Sequence, residues 1–158
     1  MSKDQNTKTN KIVLFSLEEP RYALYLSAVE RVIRSVEITP LPKAPAIVSG
    51  VINMQGEIIP VIDIRRLFQL PVREINLEDQ FIIARTSKRL VALTVDSVEG
   101  VSEIANYKVA DAKDALPFAD YLSGITVFEN NIILINDLEK FLSLNEQKEL
   151  DKALKVAI

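Results

Sequence analysis

The stretch Gly50-Val51-Ile52-Asn53-Met54-Gln55-Gly56-Glu57-Ile58-Ile59-Pro60-Val61-Ile62-Asp63 decides the fold. Two β-branched runs, Gly50 to Met54 and Ile58 to Ile62, flank Gln55-Gly56. That pattern predicts a β-hairpin with Gly56 in the φ > 0 position of its turn. Asp63 stands where an N-cap is needed and opens a short helix, Ile64 to Leu70, before Pro71. Upstream, Pro40, Pro42 and Pro45 keep the approach extended and out of any central sheet.

The same pattern occurs twice. Ser49 to Leu70 lies on Ser123 to Leu144 at a constant offset of 74 residues, without a gap. Gly56 falls on Asn130, and both residue types accept the left-handed turn conformation. Asp63 falls on Asp137. Further upstream, Arg21 to Val32 lies on Leu90 to Val101 at an offset of 69. Each half therefore reads hairpin, strand, loop, hairpin, short helix.

The remaining elements follow from local pattern. Ile12 to Leu17 and Tyr22 to Leu26 are strands around Glu18 to Arg21, and Val29 to Ile38 is mainly strand, with a helical turn near Ala28 left open. Phe81 to Ala84 and Leu90 to Val95 flank the turn Thr86 to Arg89. Asn106 to Asp120 reads as a long mixed loop, and Asp137 to Leu142 as helix. Ser143 and Glu146 form a capping box for a last helix, Leu144 to about Val156. The fold class is mainly β: two five-stranded small barrels with short helices and a C-terminal helix. Residues 1–10 read as a disordered tail, 11–143 as the paired barrels (roughly 11–70 and 80–142, strand exchange between them left open) and 144–158 as the helix. A groove is expected between the barrels.

Composition excludes much chemistry. The 158 residues include no histidine and no cysteine, which removes the commonest general base, the Ser-His triad, thiolate metal sites and disulfides. With four glycines, at 50, 56, 100 and 124, no Gly-rich phosphate loop can be written. The acidic pairs Glu18-Glu19 and Glu78-Asp79 read as solvated turn and linker rather than a catalytic dyad. The basic groups, one of Lys43, Arg65, Arg66 and Arg73, the other of Arg85, Lys88 and Arg89, read as solvated faces or a partner rim. A net charge of −3 and few aromatics argue against a barrel that binds nucleic acid or polysaccharide, the competing binding-module reading. No apolar run reaches the ~18 residues of a membrane helix. No cofactor, metal or catalytic residue is expected.

The run Leu41 to Pro45, followed by Gly50 to Arg65, resembles the signature of the CheW family, a Pro-rich approach followed by GVxNxRGxIIPVxDLR. Ala92 to Val101 and Tyr121 to Leu142 are similar to the family's second-half motifs. The resemblance covers roughly residues 11–144. It implies SH3-like barrels and a non-enzymatic cytoplasmic adaptor recruited to membrane receptor arrays. The implied partners are the regulatory domain of a CheA-type histidine kinase and the cytoplasmic tip of methyl-accepting chemoreceptors, with no nucleic acid and no membrane insertion. A coupler for a pilus or gliding pathway is the variant reading. Position by position, the resemblance implies docking roles for Val29, Arg31, Gly50, Asn53, Gln55, Gly56, Val98 and Val101, each with ordinary packing or turn geometry as its alternative. Gln55 departs from the family's usual arginine, which removes a charge able to pair with a partner carboxylate.

Overall fold

The computed structural model describes residues 8–18, 21–111 and 118–157. Residues 1–7 of the expected tail, Glu19-Pro20, and residues 112–117 of the expected loop lie outside these. Ten strands are formed: β1 (Thr9–Ser16), β2 (Arg21–Tyr25), β3 (Val29–Arg34), β4 (Val48–Met54), β5 (Glu57–Ile62), β6 (Gln80–Arg85), β7 (Leu90–Val95), β8 (Ser97–Ala105), β9 (Leu122–Phe128) and β10 (Asn131–Asn136). They make two five-stranded sheets, ordered β8-β1-β2-β10-β9 and β3-β6-β7-β5-β4. The helices are α1 (Ile64–Leu67) and α2 (Leu144–Ala157). Among the described residues, no helix is long and apolar enough to cross a membrane.

The sheets are not the two halves of the sequence. The chain builds β1 and β2 of one sheet and crosses at the 3₁₀ turn Leu26–Ala28. It then builds all five strands of the other sheet and returns at Asp96 to complete the first with β8, β9 and β10. Boundaries at 11–70 and 80–142 therefore delimit neither sheet. An exchange of strands relates the halves, and its seams are the two parallel pairs, β2 with β10 and β7 with β5. Past Leu26 to Ala28, β3 pairs with β6 of the other sheet and not with β2.

The repeat survives in the irregularities. β4 and β9 share one alternating burial pattern, and β5 and β10 share another. β3 bulges at Glu30 and β8 at Glu99; β4 bulges at Ser49 and β9 at Ser123. Each pair is related by the sequence offset, 69 or 74, as expected if bulges are built features of a fold.

Phe81 to Ala84 of β6 and Leu90 to Leu93 of β7 form continuous apolar runs because they are buried on both faces. Phe81, Ile83, Leu90 and Ala92 point into a cluster inside their own sheet. Ile82, Ala84, Val91, Leu93 and Val95 point into a central cluster shared with Phe15, Tyr22, Leu24, Leu134 and Phe141. A third cluster, with Ile12, Leu14, Ile133 and Ile135, fills the other sheet. Each fully buried Ile or Leu stabilises by roughly 1.5–3 kcal/mol. The expected groove between the sheets is thus filled by core along its middle.

Among the described residues, no ladder joins β8 to β9 or β3 to β4. One bridge per sheet stands in for closure: Thr39, beyond β3, pairs with Val51 of β4, and Ala110, beyond β8, pairs with Ile125 of β9. Each sheet thereby wraps around its inner cluster.

Some elements differ in extent from the sequence expectation. β1 begins at Thr9 rather than after residue 10, because β8 extends alongside it and pairs with Thr9 and Asn10. α1 ends at Leu67 instead of Leu70: Gln69 turns left-handed at φ 57° and Leu70 N–H closes back on Arg65 O at 2.8 Å. Asp137 caps only a 3₁₀ turn, Leu138–Lys140, where a helix to Leu142 was expected. The capping box of α2 forms as read: Ser143 N–H donates to Glu146 Oε1 at 2.9 Å, and Glu146 N–H to Ser143 Oγ at 3.1 Å. Leu150 and Ala153 of this helix are buried in the central cluster.

Candidate functional site

The residues singled out by the resemblance fall into three groups. Gly50, Asn53, Gln55 and Gly56 share the β4–β5 hairpin. Its register closes at Met54 opposite Glu57, leaving a two-residue turn. Gln55 (φ 53°) and Gly56 (φ 89°) are both left-handed, the geometry that matches strand twist. The equivalent β9–β10 turn repeats this with Glu129 (φ 51°) and Asn130 (φ 65°). Asn53 Oδ1 accepts from Gly56 N–H at 2.9 Å, so its side chain builds the turn. Gln55 and Gly56 are exposed at the tip. Gly50 is buried; it admits the Thr39 backbone, which makes two hydrogen bonds with Val51 at 2.8 and 2.9 Å.

Val29 and Arg31 lie on β3, the outer strand at the far end of the same sheet order. The bulge at Glu30 puts Val29 opposite Ala84 and Arg31 opposite Ile83. Val98 and Val101 lie on β8, the outer strand of the other sheet, opposite Phe15 and Val13. Val29 and Val98 are half-buried and pack on the same central cluster, one from each sheet. Val101 is 55% exposed and Arg31 is exposed. The structure thus joins Val29 and Val98 through one core and keeps the hairpin tip as a separate feature.

An ion network not visible in the sequence holds the Asp96 crossing. Asp96 Oδ1 accepts from Arg65 Nη2 and from Arg73 Nη2, both at 2.6 Å, while Oδ2 accepts from Glu18 N–H at 3.2 Å. Arg65 Nη1 donates to Glu18 Oε1 at 3.0 Å. Arg73 also grips Asp79 with both ends of its fork, at 2.8 and 2.9 Å. Burial pushes the Asp96 carboxyl up, but the Arg65 hydrogen bond, the Glu18 amide and Arg73 outweigh it and hold Asp96 below the usual aspartate range. Arg65 is buried, and Asp79 is 2% exposed. Arg65 is therefore not part of a solvated basic face, Arg73 is exposed but held in two ion pairs, and Asp79 is not a solvated linker carboxylate. Partners 31 residues apart, such as Arg65 and Asp96, leave no local signal in a sequence. Both arginines of the second basic group are paired as well: Arg85 with Glu30 at 2.9 Å, and Arg89 with Asp151 of α2.

Among the described residues, no cluster of three or more acidic side chains could hold a metal ion. Residues 11–146 match the CheW-like domain family. The chain is 29% identical over 142 residues to Chemotaxis protein CheW of Thermotoga maritima, covering 90% of this chain and 93% of that one. It is 26% identical over 153 residues to Chemotaxis protein CheW of Treponema pallidum, covering 92% and 89%. The crystal structure of the scaffolding protein TtCheW from Thermoanaerobacter tengcongensis matches with a TM-score of 0.81 at 30% identity, over 88% of this chain and 96% of that one. With the family match spanning both sheets and the hairpin motif on β4–β5, the chain belongs to the CheW-like domain family.

Proposed function

We propose that this protein is a non-catalytic adaptor that couples methyl-accepting chemoreceptors to a CheA-type histidine kinase in a chemotaxis array. It acts in the cytoplasm and is recruited to membrane receptors through those contacts. The observation that carries this reading is the β4–β5 hairpin. It displays the family motif on a rigid two-residue turn, with Asn53, Gln55 and Gly56 exposed above a buried strand base. A turn fixed by its own hydrogen bonds can be recognised with little ordering cost. Val29, Arg31, Val98 and Val101, on two outer strands around one shared core, supply the second docking face in this reading. Modest interfaces with apolar centres and polar rims suit a signalling assembly that must respond to receptor state.

The test is titration calorimetry of the full chain against the regulatory domain of the CheA-type kinase from the same genome, repeated with a receptor-tip fragment. Saturable binding to both, with kinase activation in the ternary mixture, is the expected result. Binding to neither folded partner would overturn the coupling role and leave the fold intact.

A further inference from the structure

The two crossings between the sheets are related by the repeat, and each carries a cavity. At the Asp96 crossing the cavity is about 30 Å³ and is lined by Ser49, Asp63, Arg65, Thr94 and Asp96, with Arg73, Ile75 and Asp79 of the linker seated in it. At the Leu26–Ala28 crossing the cavity is about 320 Å³. Its lining includes Ser123, Asp137, Glu139, Tyr25 and Ser27. Those five are the offset counterparts of Ser49, Asp63, Arg65, Thr94 and Asp96 in turn. The difference in volume has a visible cause. The chain after α1 sends its linker back into the first cavity, whereas the chain after Leu142 enters α2.

We propose that the open cavity is a docking pocket for an arginine side chain presented by a protein partner. Three observations carry this. First, the equivalent closed cavity is occupied by a guanidinium, Arg73, bound to Asp79 and Asp96. Second, the open cavity carries less positive charge than its twin: Glu139 stands where Arg65 stands, and the one arginine of its described lining, Arg85, is held by Glu30. Third, Asn136 lines it at 2% exposure, and its Oδ1 accepts no hydrogen bond from the protein. The amide orientation is fixed, because Nδ2 donates to Ala23 O at 3.1 Å and Leu134 O at 3.3 Å. A buried acceptor without a donor is costly, so a donor brought into this lining is favoured.

The cations around the pocket are already engaged. Arg85 is bound to Glu30 at 2.9 Å. Lys140 Nζ donates to Leu122 O at 3.2 Å and stands 4.0 Å from Asp137. Glu139 accepts from Ser87 N–H and Oγ at 2.8–2.9 Å, which fixes its carboxylate at the rim. A planar fork with five donors fits such a ring of fixed acceptors better than an ammonium point charge. The proposal rests on the adaptor reading only for which partner bears the arginine.

The test uses the ¹⁵N-labelled full chain titrated with acetyl-Gly-Arg-Gly-amide, and with the same peptide carrying neutral citrulline. Saturable shifts at Ser27, Ser123, Asn136 and Leu138 with arginine, and not with citrulline, are expected. Ser27 is exposed, so it can be changed without disturbing the fold. Ser27→Asp copies the chemistry of Asp96 and should tighten the peptide about threefold, as an added partly exposed ion pair does; Ser27→Lys should weaken it by at least as much. Equal responses to both peptides, or arginine shifts spread over the acidic surface and indifferent to Ser27→Lys, would overturn the pocket. The peptide assay contains neither kinase nor receptor, so its failure is separate from failure of the coupling role.

Discussion

The Thr39 carbonyl oxygen lies where a Cβ on Gly50 would have to go, and Ile38 Cγ2 would stand 2.7 Å from that same atom. The equivalent Gly124 meets a softer obstacle, the Val109 Cγ1 methyl at 2.5 Å, with Ala110 O at 3.1 Å. Gly50→Ala should therefore destabilise by about 2 kcal/mol, and Gly124→Ala by less, since a side chain yields where a hydrogen-bonded carbonyl does not. Urea midpoints of the two variants check the order. Because Gly50 is buried, any loss of kinase binding in Gly50→Ala should track the loss of folded hairpin.

Asp96 gives the fold an acid-sensitive joint. Its carboxyl is held below the usual aspartate range when folded. The stabilisation is therefore full above about pH 4, the unfolded value, and is lost as pH falls through the folded value. Asp96→Asn should cost about 2 kcal/mol at pH 7, because it leaves Arg65 and Arg73 short of a partner. As pH falls below the unfolded value and through the lower folded one, the gap between wild type and variant should narrow. Urea titrations at pH 7, 4 and 3 measure this, and a constant gap would remove Asp96 as the source of the acid sensitivity.

The tip of the β4–β5 hairpin can be tuned in two independent ways. Gln55 is held left-handed, where asparagine is more at ease than glutamine. Gln55→Asn should raise stability by about 0.5 kcal/mol. Gln55→Arg should leave stability unchanged and, by restoring the charge usual in the family, tighten a kinase regulatory domain about fivefold through a charge-assisted hydrogen bond. Thermal melts and calorimetry separate the two effects.

Helix α2 is anchored by its cap and by its buried face. Ser143→Ala removes one half of the capping box and should cost about 1 kcal/mol. Leu150→Ala opens a cavity in the central cluster and should cost about 3 kcal/mol. If both changes were silent in urea unfolding, α2 would not be part of the cooperative unit.

Elements whose cause lies within a few residues were legible in the sequence. The Gln55-Gly56 turn, the Asp63 cap and the Ser143–Glu146 box each form where their residue types require. The repeat was legible too, since an offset of 74 maps β4–β5 onto β9–β10 even at the bulges of Ser49 and Ser123. The hairpin part of the candidate site was readable because it is local. The pairing of Arg65 with Glu18 and Asp96 was not, because those partners meet only after the chain has crossed between sheets twice.

The sequence by itself determined ten strands, their turns and their two-fold likeness, because side-chain period and turn chemistry act along the chain. Which hairpins and outer strands share a sheet was left to tertiary structure, because those pairings join residues far apart in the chain. The chain enters the second sheet at Leu26–Ala28 and leaves it at Asp96, a choice that sets β3 beside β6 and β8 beside β1. That same choice brings Glu18, Arg65, Arg73, Asp79 and Asp96 together at one crossing and leaves the Asn136 cavity open at the other.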